Sequence, residues 1–129
     1  MKNKLIQKLN LKEDARALTK SFYLKNPYIK IDNKYINFLK QYSKKNRDCD
    51  IRICIHENQA STHHDMVLFQ KKGNFYNPHK HLYCGDTYHV IEGRLACFLF
   101  NSQGKIIYSC LIKKNDIFKT PKKVFHVTT

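Results

Sequence analysis

The stretch Pro78-His79-Lys80-His81-Leu82-Tyr83-Cys84-Gly85-Asp86 decides how the rest of the chain is read, because it gathers two imidazoles and a carboxylate within a few residues. In a strand over residues 75–81 successive side chains point to opposite faces, so His79 and His81 project to one side and Lys80 to the other. Gly85 can take the positive φ that a sharp turn after Leu82-Tyr83-Cys84 demands, and that turn brings Asp86 back beside the histidines. Further along, Asp116-Ile-Phe-Lys-Thr-Pro121-Lys-Lys-Val-Phe-His126 ends a strand-like run with an isolated histidine, placed to be a fourth donor from a distant strand. Three histidines and one carboxylate, His79, His81, Asp86 and His126, make a shell suited to one divalent ion of Fe, Mn, Zn, Ni or Co.

On both sides of this stretch the pattern is short strands punctuated by turn signals. Ile51, Ile53 and Ile55 alternate with Arg52, Cys54 and His56, which gives one apolar and one polar face without saying which looks inward. Residue types alone would leave Arg52 and His56 in solvent on an edge strand. Met66-Val-Leu-Phe reads as a strand followed by a turn at Lys71-Lys-Gly73-Asn. Asp86 to Ile91 reads as another strand, and Arg94 to Phe100 pairs with Lys105 to Ile112 across Asn101-Ser-Gln-Gly104. Seven or so antiparallel strands of this kind predict an all-β domain, a small barrel with a ligand cavity at its mouth. His89 lies an odd number of residues from Asp86 and faces away from it in a regular strand. His63 and His64 are adjacent, so extended chain turns only one of them to a cavity.

The spacing of His79, His81, Asp86 and Gly93, followed by Asp116, Pro121 and His126, resembles the two signature motifs of the cupin superfamily. The closer likeness is to WbuC-type cupin metalloproteins, carried by Arg52-Ile-Cys54-Ile-His56, His64-Asp65-Met66, Pro78-His79-Lys80-His81, Asp86-Thr-Tyr-His89-Val-Ile-Glu92-Gly93 and Phe100-Asn-Ser-Gln-Gly104. Asp65 and Asp86 stand where that family more often has Glu, and Cys84 where Lys is usual. The resemblance implies a jelly-roll β-barrel over residues 49–129. It makes His79, His81, Asp86 and His126 the metal ligands and puts Arg52 and His56 against substrate. His56 and His64 become the groups that move a proton near neutral pH.

Residues 1–48 lack a strict period of two and read as a mainly helical extension. Asp32 is placed to cap a helix over Asn33 to Ser43, in which Tyr35, Phe38, Leu39 and Tyr42 form one apolar stripe. An earlier helix is expected near Lys12 to Ser21, separated from the second by Pro27. With 129 residues, 42% of them hydrophobic, there is chain for one core. The 24 Lys and Arg against 10 Asp and Glu give a net charge of +14, which favours acidic partners such as phosphorylated sugars, anionic polymers or nucleic acid. No nucleic-acid-binding motif accompanies that charge. Five cysteines without a C-x-x-C pair read as reduced thiols. No run has the length of a membrane span and the first residues lack the apolar region of a signal peptide, so a cytoplasmic protein without membrane contact is expected. Unpaired strand edges of a small barrel predict a homodimer.

The function implied by the resemblance is action on a sugar or nucleotide-sugar in surface-polysaccharide biosynthesis, by isomerisation or epimerisation. Cupins also include non-catalytic binders and iron-dependent dioxygenases. A metal-dependent saccharide- or small-acid-binding module and an Fe(II) dioxygenase therefore stay open beside the enzyme.

Overall fold

Ile51 and Ile53 are completely buried, and the strand that carries them organises the first of two units into which the chain divides between Lys71 and Lys72. The structure is a computed structural model that describes residues 2–26 and 28–129. In the first unit the elements are α1 (Lys2–Lys8), β1 (Leu11–Asp14), β2 (Lys20–Leu24), α2 (Asn33–Lys45), β3 (Ile51–Cys54) and β4 (Met66–Phe69). The four strands form one sheet in the order β1-β2-β3-β4. β1 and β2 are antiparallel, β3 and β4 are antiparallel, and β2 and β3 are parallel. A parallel pair needs a crossover, and α2 supplies it.

The expected cap is present: the Asp32 carboxylate accepts from the backbone N–H of Lys34 at 2.9 Å, and α2 runs to Lys45. Its stripe packs as expected, with Phe38 and Leu39 buried beside Phe22, Ile51 and Ile53, and Tyr35 and Tyr42 half-buried around them. Phe22 meets both Phe38 and Tyr42 edge-on, with ring centroids 5.4 Å away, a favoured aromatic geometry.

Three expectations for this region change. The helix expected near Lys12 to Ser21 is replaced by β1, a connecting turn and the start of β2. Phe22 reaches the core only within a strand paired with Ile53, and that pairing overrides local helix preference. The stretch before residue 49 therefore contributes half of a sheet as well as helix, and the break falls after β4, since β3 is bonded to β2 and β4 to β3. Ile55 lies past the end of β3 and is 39% exposed, whereas Ile51 and Ile53 are sealed. Pro27, expected to separate the helices, lies outside the described residues.

The second unit holds β5 (Thr87–His89), β6 (Arg94–Phe100), β7 (Ile106–Lys113), β8 (Ile117–Lys119) and β9 (Phe125–Thr128). β5 pairs with β8, and β7, β6 and β9 form a three-stranded sheet in that order, all antiparallel. The β6–β7 hairpin turns where expected. Asn101 Oδ1 accepts from the N–H groups of Gln103 and Lys105, and Gly104 takes φ 76°. Val90, Cys97 and Ile112 form the buried centre, with Tyr88, Leu95, Cys110 and Phe118 around them. The strand expected over residues 75–81 is reduced to a single bridge between His79 and His126.

The chain is mainly β with two helices among the described residues. Its strands lie in three sheets, none of which closes on itself there. No helix among the described residues is long and apolar enough to cross a membrane. Replacing Asp32 with Ala removes the α2 cap and should lower stability by about 1 kcal/mol, read as a shift in the denaturant midpoint with an unchanged m-value.

Candidate metal centre

His126 is the fixed point of the site. It lies on β9 between two neighbours: opposite Leu99 of β6 on one side and bridged to His79 on the other, where each residue's N–H donates to the other's carbonyl at 3.0 and 2.8 Å. Only 1% of its surface is exposed. His81 is tied to the same segment through its carbonyl, which accepts from Lys123 N–H at 2.7 Å. Lys80, between the histidines, turns the other way and sets its ammonium 4.7 Å from the centre of the Phe125 ring, as the alternation of a strand predicts.

Asp86 arrives by a different route from the one expected. Gly85 is not at positive φ. A Cβ on it would overlap the Thr120 carbonyl oxygen and stand 2.9 Å from the carbonyl carbon, so only a residue without a side chain lets the two backbones approach this closely. The next residue then locks on: Asp86 N–H donates to Thr120 Oγ1 and Thr120 N–H donates to the Asp86 carbonyl, both at 2.8 Å.

The result is that one donor atom from each of His79, His81, Asp86 and His126 lies within 4.8 Å of all the others. Donors bound to one ion at about 2.1 Å stand roughly 3 to 4.2 Å apart, so a slight contraction of the set brings it onto a single divalent cation. Asp86 Oδ2 is the centre of the group, 3.1 Å from His81 Nε2, 3.1 Å from His126 Nε2 and 2.9 Å from the Tyr88 hydroxyl, which donates to it. His126 Nδ1 lies 3.1 Å from the Val124 carbonyl. That carbonyl can only accept, so Nδ1 carries the proton and a neutral ring turns a bare Nε2 lone pair towards the carboxylate. Two lone pairs at that distance need a proton or a metal ion near both of them.

The electrostatics point the same way. Burial, then the neighbouring His126, hold the His79 imidazole below its usual value, which favours the neutral, ligating form. Burial alone would raise the Asp86 carboxyl, but the Tyr88 hydrogen bond and the adjacent His81 and His126 outweigh it and leave the group lowered. Burial and the nearby Asp86 push the Tyr88 hydroxyl up, so Tyr88 remains a proton donor. Partners that orient a ligand in this way typically matter by ten- to a hundredfold in metal affinity.

The four expected ligands thus come together. The first unit holds the other candidates, in a separate cluster. His56 and His64 stack with ring centroids 4.4 Å apart and planes 5° from parallel, and the Tyr23 ring meets His56 edge-on at 5.6 Å. His56 Nδ1 lies 3.0 Å from the Asp65 carbonyl and His64 Nε2 lies 3.1 Å from that of Gln59. Arg52 has a structural partner that its strand pattern did not disclose: its Nε donates to Ser21 Oγ at 2.6 Å, and Ser21 is wholly buried. His89 and Cys84 are exposed and stand outside the four-residue group. Tyr88, Thr120 and the Val124 carbonyl are the contributors missed in the sequence. Tyr88 was within reach, since two residues on from Asp86 is the same face of a strand.

Residues 31–112 match the family described as Domain of unknown function (DUF6016). The chain belongs to that family. The DUF6016 match runs from just before α2 to near the end of β7 and so takes in His79, His81 and Asp86. No curated protein and no solved structure matches the chain.

Gly85→Ala forces its new methyl against backbone, where nothing flexible can yield, and should cost about 3 kcal/mol or more, seen as a large fall in Tm. In chelator-treated protein the His79 pKa is lowered from 6.5 on folding, so the unfolded chain binds its proton first as the pH drops. Stability should be full above about pH 6.5 and fall as the pH passes down through the folded value. Asp86, lowered from 3.8, acts in the same sense at lower pH. Urea unfolding at pH 7.5, 6.0 and 5.0 checks this, and a midpoint that rises on acidification contradicts it.

Proposed function

We propose that the second unit is a divalent-metal centre of the WbuC-type cupin kind, with a jelly-roll relationship of its strands, holding one ion through His79, His81, Asp86 and His126 and acting on a sugar or nucleotide-sugar. The observation that carries this reading is the grouping of one donor atom from each of the four residues within 4.8 Å of the others, with His81 and His126 both on Asp86 Oδ2 and with Tyr88 and the Val124 carbonyl orienting two of the four. When bound, a divalent ion supplies Lewis-acid polarisation of a carbonyl or hydroxyl oxygen. The residues themselves do the positioning. His126 is buried and fixed, while His79 is exposed and the His81 side chain is 39% exposed, so a ligand approaches from the His79 and His81 side. The net charge of +14 favours an anionic substrate such as a phosphorylated sugar or sugar nucleotide. On the first unit, Arg52 and His56 are the proposed substrate contacts and His56 and His64 the proposed proton-transfer pair. The reaction that this reading supports is isomerisation or epimerisation of the sugar.

Elemental analysis of purified protein should find one equivalent of metal, reduced at least tenfold in the double variant His79→Ala/His81→Ala. A full equivalent retained by that variant places the metal elsewhere. A thermal-shift screen of metal-loaded protein against nucleotide-sugars then separates the chemistry. Binding with turnover supports the isomerase reading, binding without turnover makes the protein a saccharide-binding module, and ferrous iron with oxygen uptake makes it a dioxygenase.

A further inference from the structure

β7 stands at the edge of its sheet, with β6 on one side and no described strand on the other. Such edges are usually kept short or guarded by charge or proline. This one is eight residues long, and between Ile106 and Ile112 it carries neither. Ile106, Ile107, Tyr108 and Leu111 are 57%, 59%, 51% and 62% exposed. Its one irregularity is near the hairpin, where the register shifts between Leu99 and Phe100 and makes Ile107 the extra residue of a bulge.

The direction of its backbone groups follows from the pairing of β6. Ala96 exchanges both backbone hydrogen bonds with Thr129, so alternate residues Leu95, Cys97 and Leu99 point theirs at β7. Their partners are Ile112, Cys110 and Tyr108. The groups of Ser109, Leu111 and Lys113 therefore point to the open edge. Those of Lys113 are taken by Asp116, whose carboxylate accepts from Lys113 N–H and whose N–H donates to the Lys113 carbonyl. Ser109 and Leu111 are left open, in the regular stretch between the bulge and that Asp116 clamp.

We infer that β7 pairs antiparallel with β7 of a second copy about a two-fold axis through Ser109, joining two three-stranded sheets into one of six strands. That register is self-complementary. Ser109 exchanges hydrogen bonds with the partner's Ser109, and Leu111 lies opposite the partner's Ile107 on both sides of the axis. Moving the axis to Leu111 sets Ser109 against the partner's Lys113, whose groups are already used, and loses bonds. The side chains agree: Ile107 and Leu111 are each more than half exposed, so the two-fold sets apolar against apolar on either side of a small residue at the axis. The same register places Lys105 opposite the partner's Lys113, so like charges oppose each other at the two ends of the seam and their screening makes pairing tighter in salt.

Light scattering on the wild-type chain from 5 to 500 µM, at 50 and 300 mM salt, tests this. The mass should double with concentration, with the midpoint at lower concentration in high salt. Leu111→Lys should move that midpoint up at least tenfold, whereas Ile117→Lys, also exposed but on β8, should leave it in place. Hydrogen exchange on the unmodified chain gives a reading that does not depend on any variant folding: the amides of Ser109 and Leu111 should become protected as concentration rises while those of Cys110 and Ile112 are protected throughout. A monomer at 500 µM overturns the proposal, and so does a dimer in which the Ser109 and Leu111 amides exchange at the monomer's rate.

Discussion

The contact of Gly85 with the Thr120 carbonyl is the constraint on which the second unit turns. It sets the loop after His81 directly against the segment after β8, and two hydrogen bonds between Asp86 and Thr120 then fix the main chain from which the carboxylate projects. From that point the segment through Lys123 to His126 returns alongside His81 and His79, bonded to both. The donors are side chains of two backbone stretches that are held side by side by main-chain bonds, so their positions depend little on flexible rotamers. This is the kind of support a binding site requires if its geometry is to survive thermal motion.

Collecting three imidazoles around a carboxylate has an electrostatic cost that the neighbours only partly offset. Tyr88 donates to the carboxylate and the Val124 carbonyl orients one ring, but the histidines also lie against one another, with His79 and His126 ring centres 4.4 Å apart. In a metal-free protein such a group is a local weak point, because imidazoles that become charged repel at that distance. A divalent cation reverses the sign of the problem by making every lone pair an attraction.

Much of this was legible in residue order. His79, His81, Asp86 and His126 could be picked out by spacing, and α2 with its Asp32 cap and the β6–β7 hairpin follow local rules of stripe, cap and turn. What failed was non-local. β2 is a strand because Ile53 lies beside Phe22, a fact that no window around residues 12–24 contains. Gly85 looked like a turn glycine because a sequence displays conformational freedom and does not display which backbone will occupy the place of an absent Cβ. The Arg52 contact with Ser21 is hidden for the same reason, since the two are neighbours only across the parallel β2–β3 pair. The grouping of the strands into three sheets was hidden as well, because strand count does not determine which strands bond.

The bridge from His79 to His126 also sets the order in which the chain can become itself. Closing it brings together residues separated by a loop of about fifty, an entropic barrier that neighbouring turns do not face. The β6–β7 hairpin is local and can form early, and β9 then adds to β6 as a template. Only at that last docking does His126 meet His79 and His81. His79, His81 and Asp86 are close in the chain, so His126 is the donor that waits for β9 to dock, and its arrival closes the set.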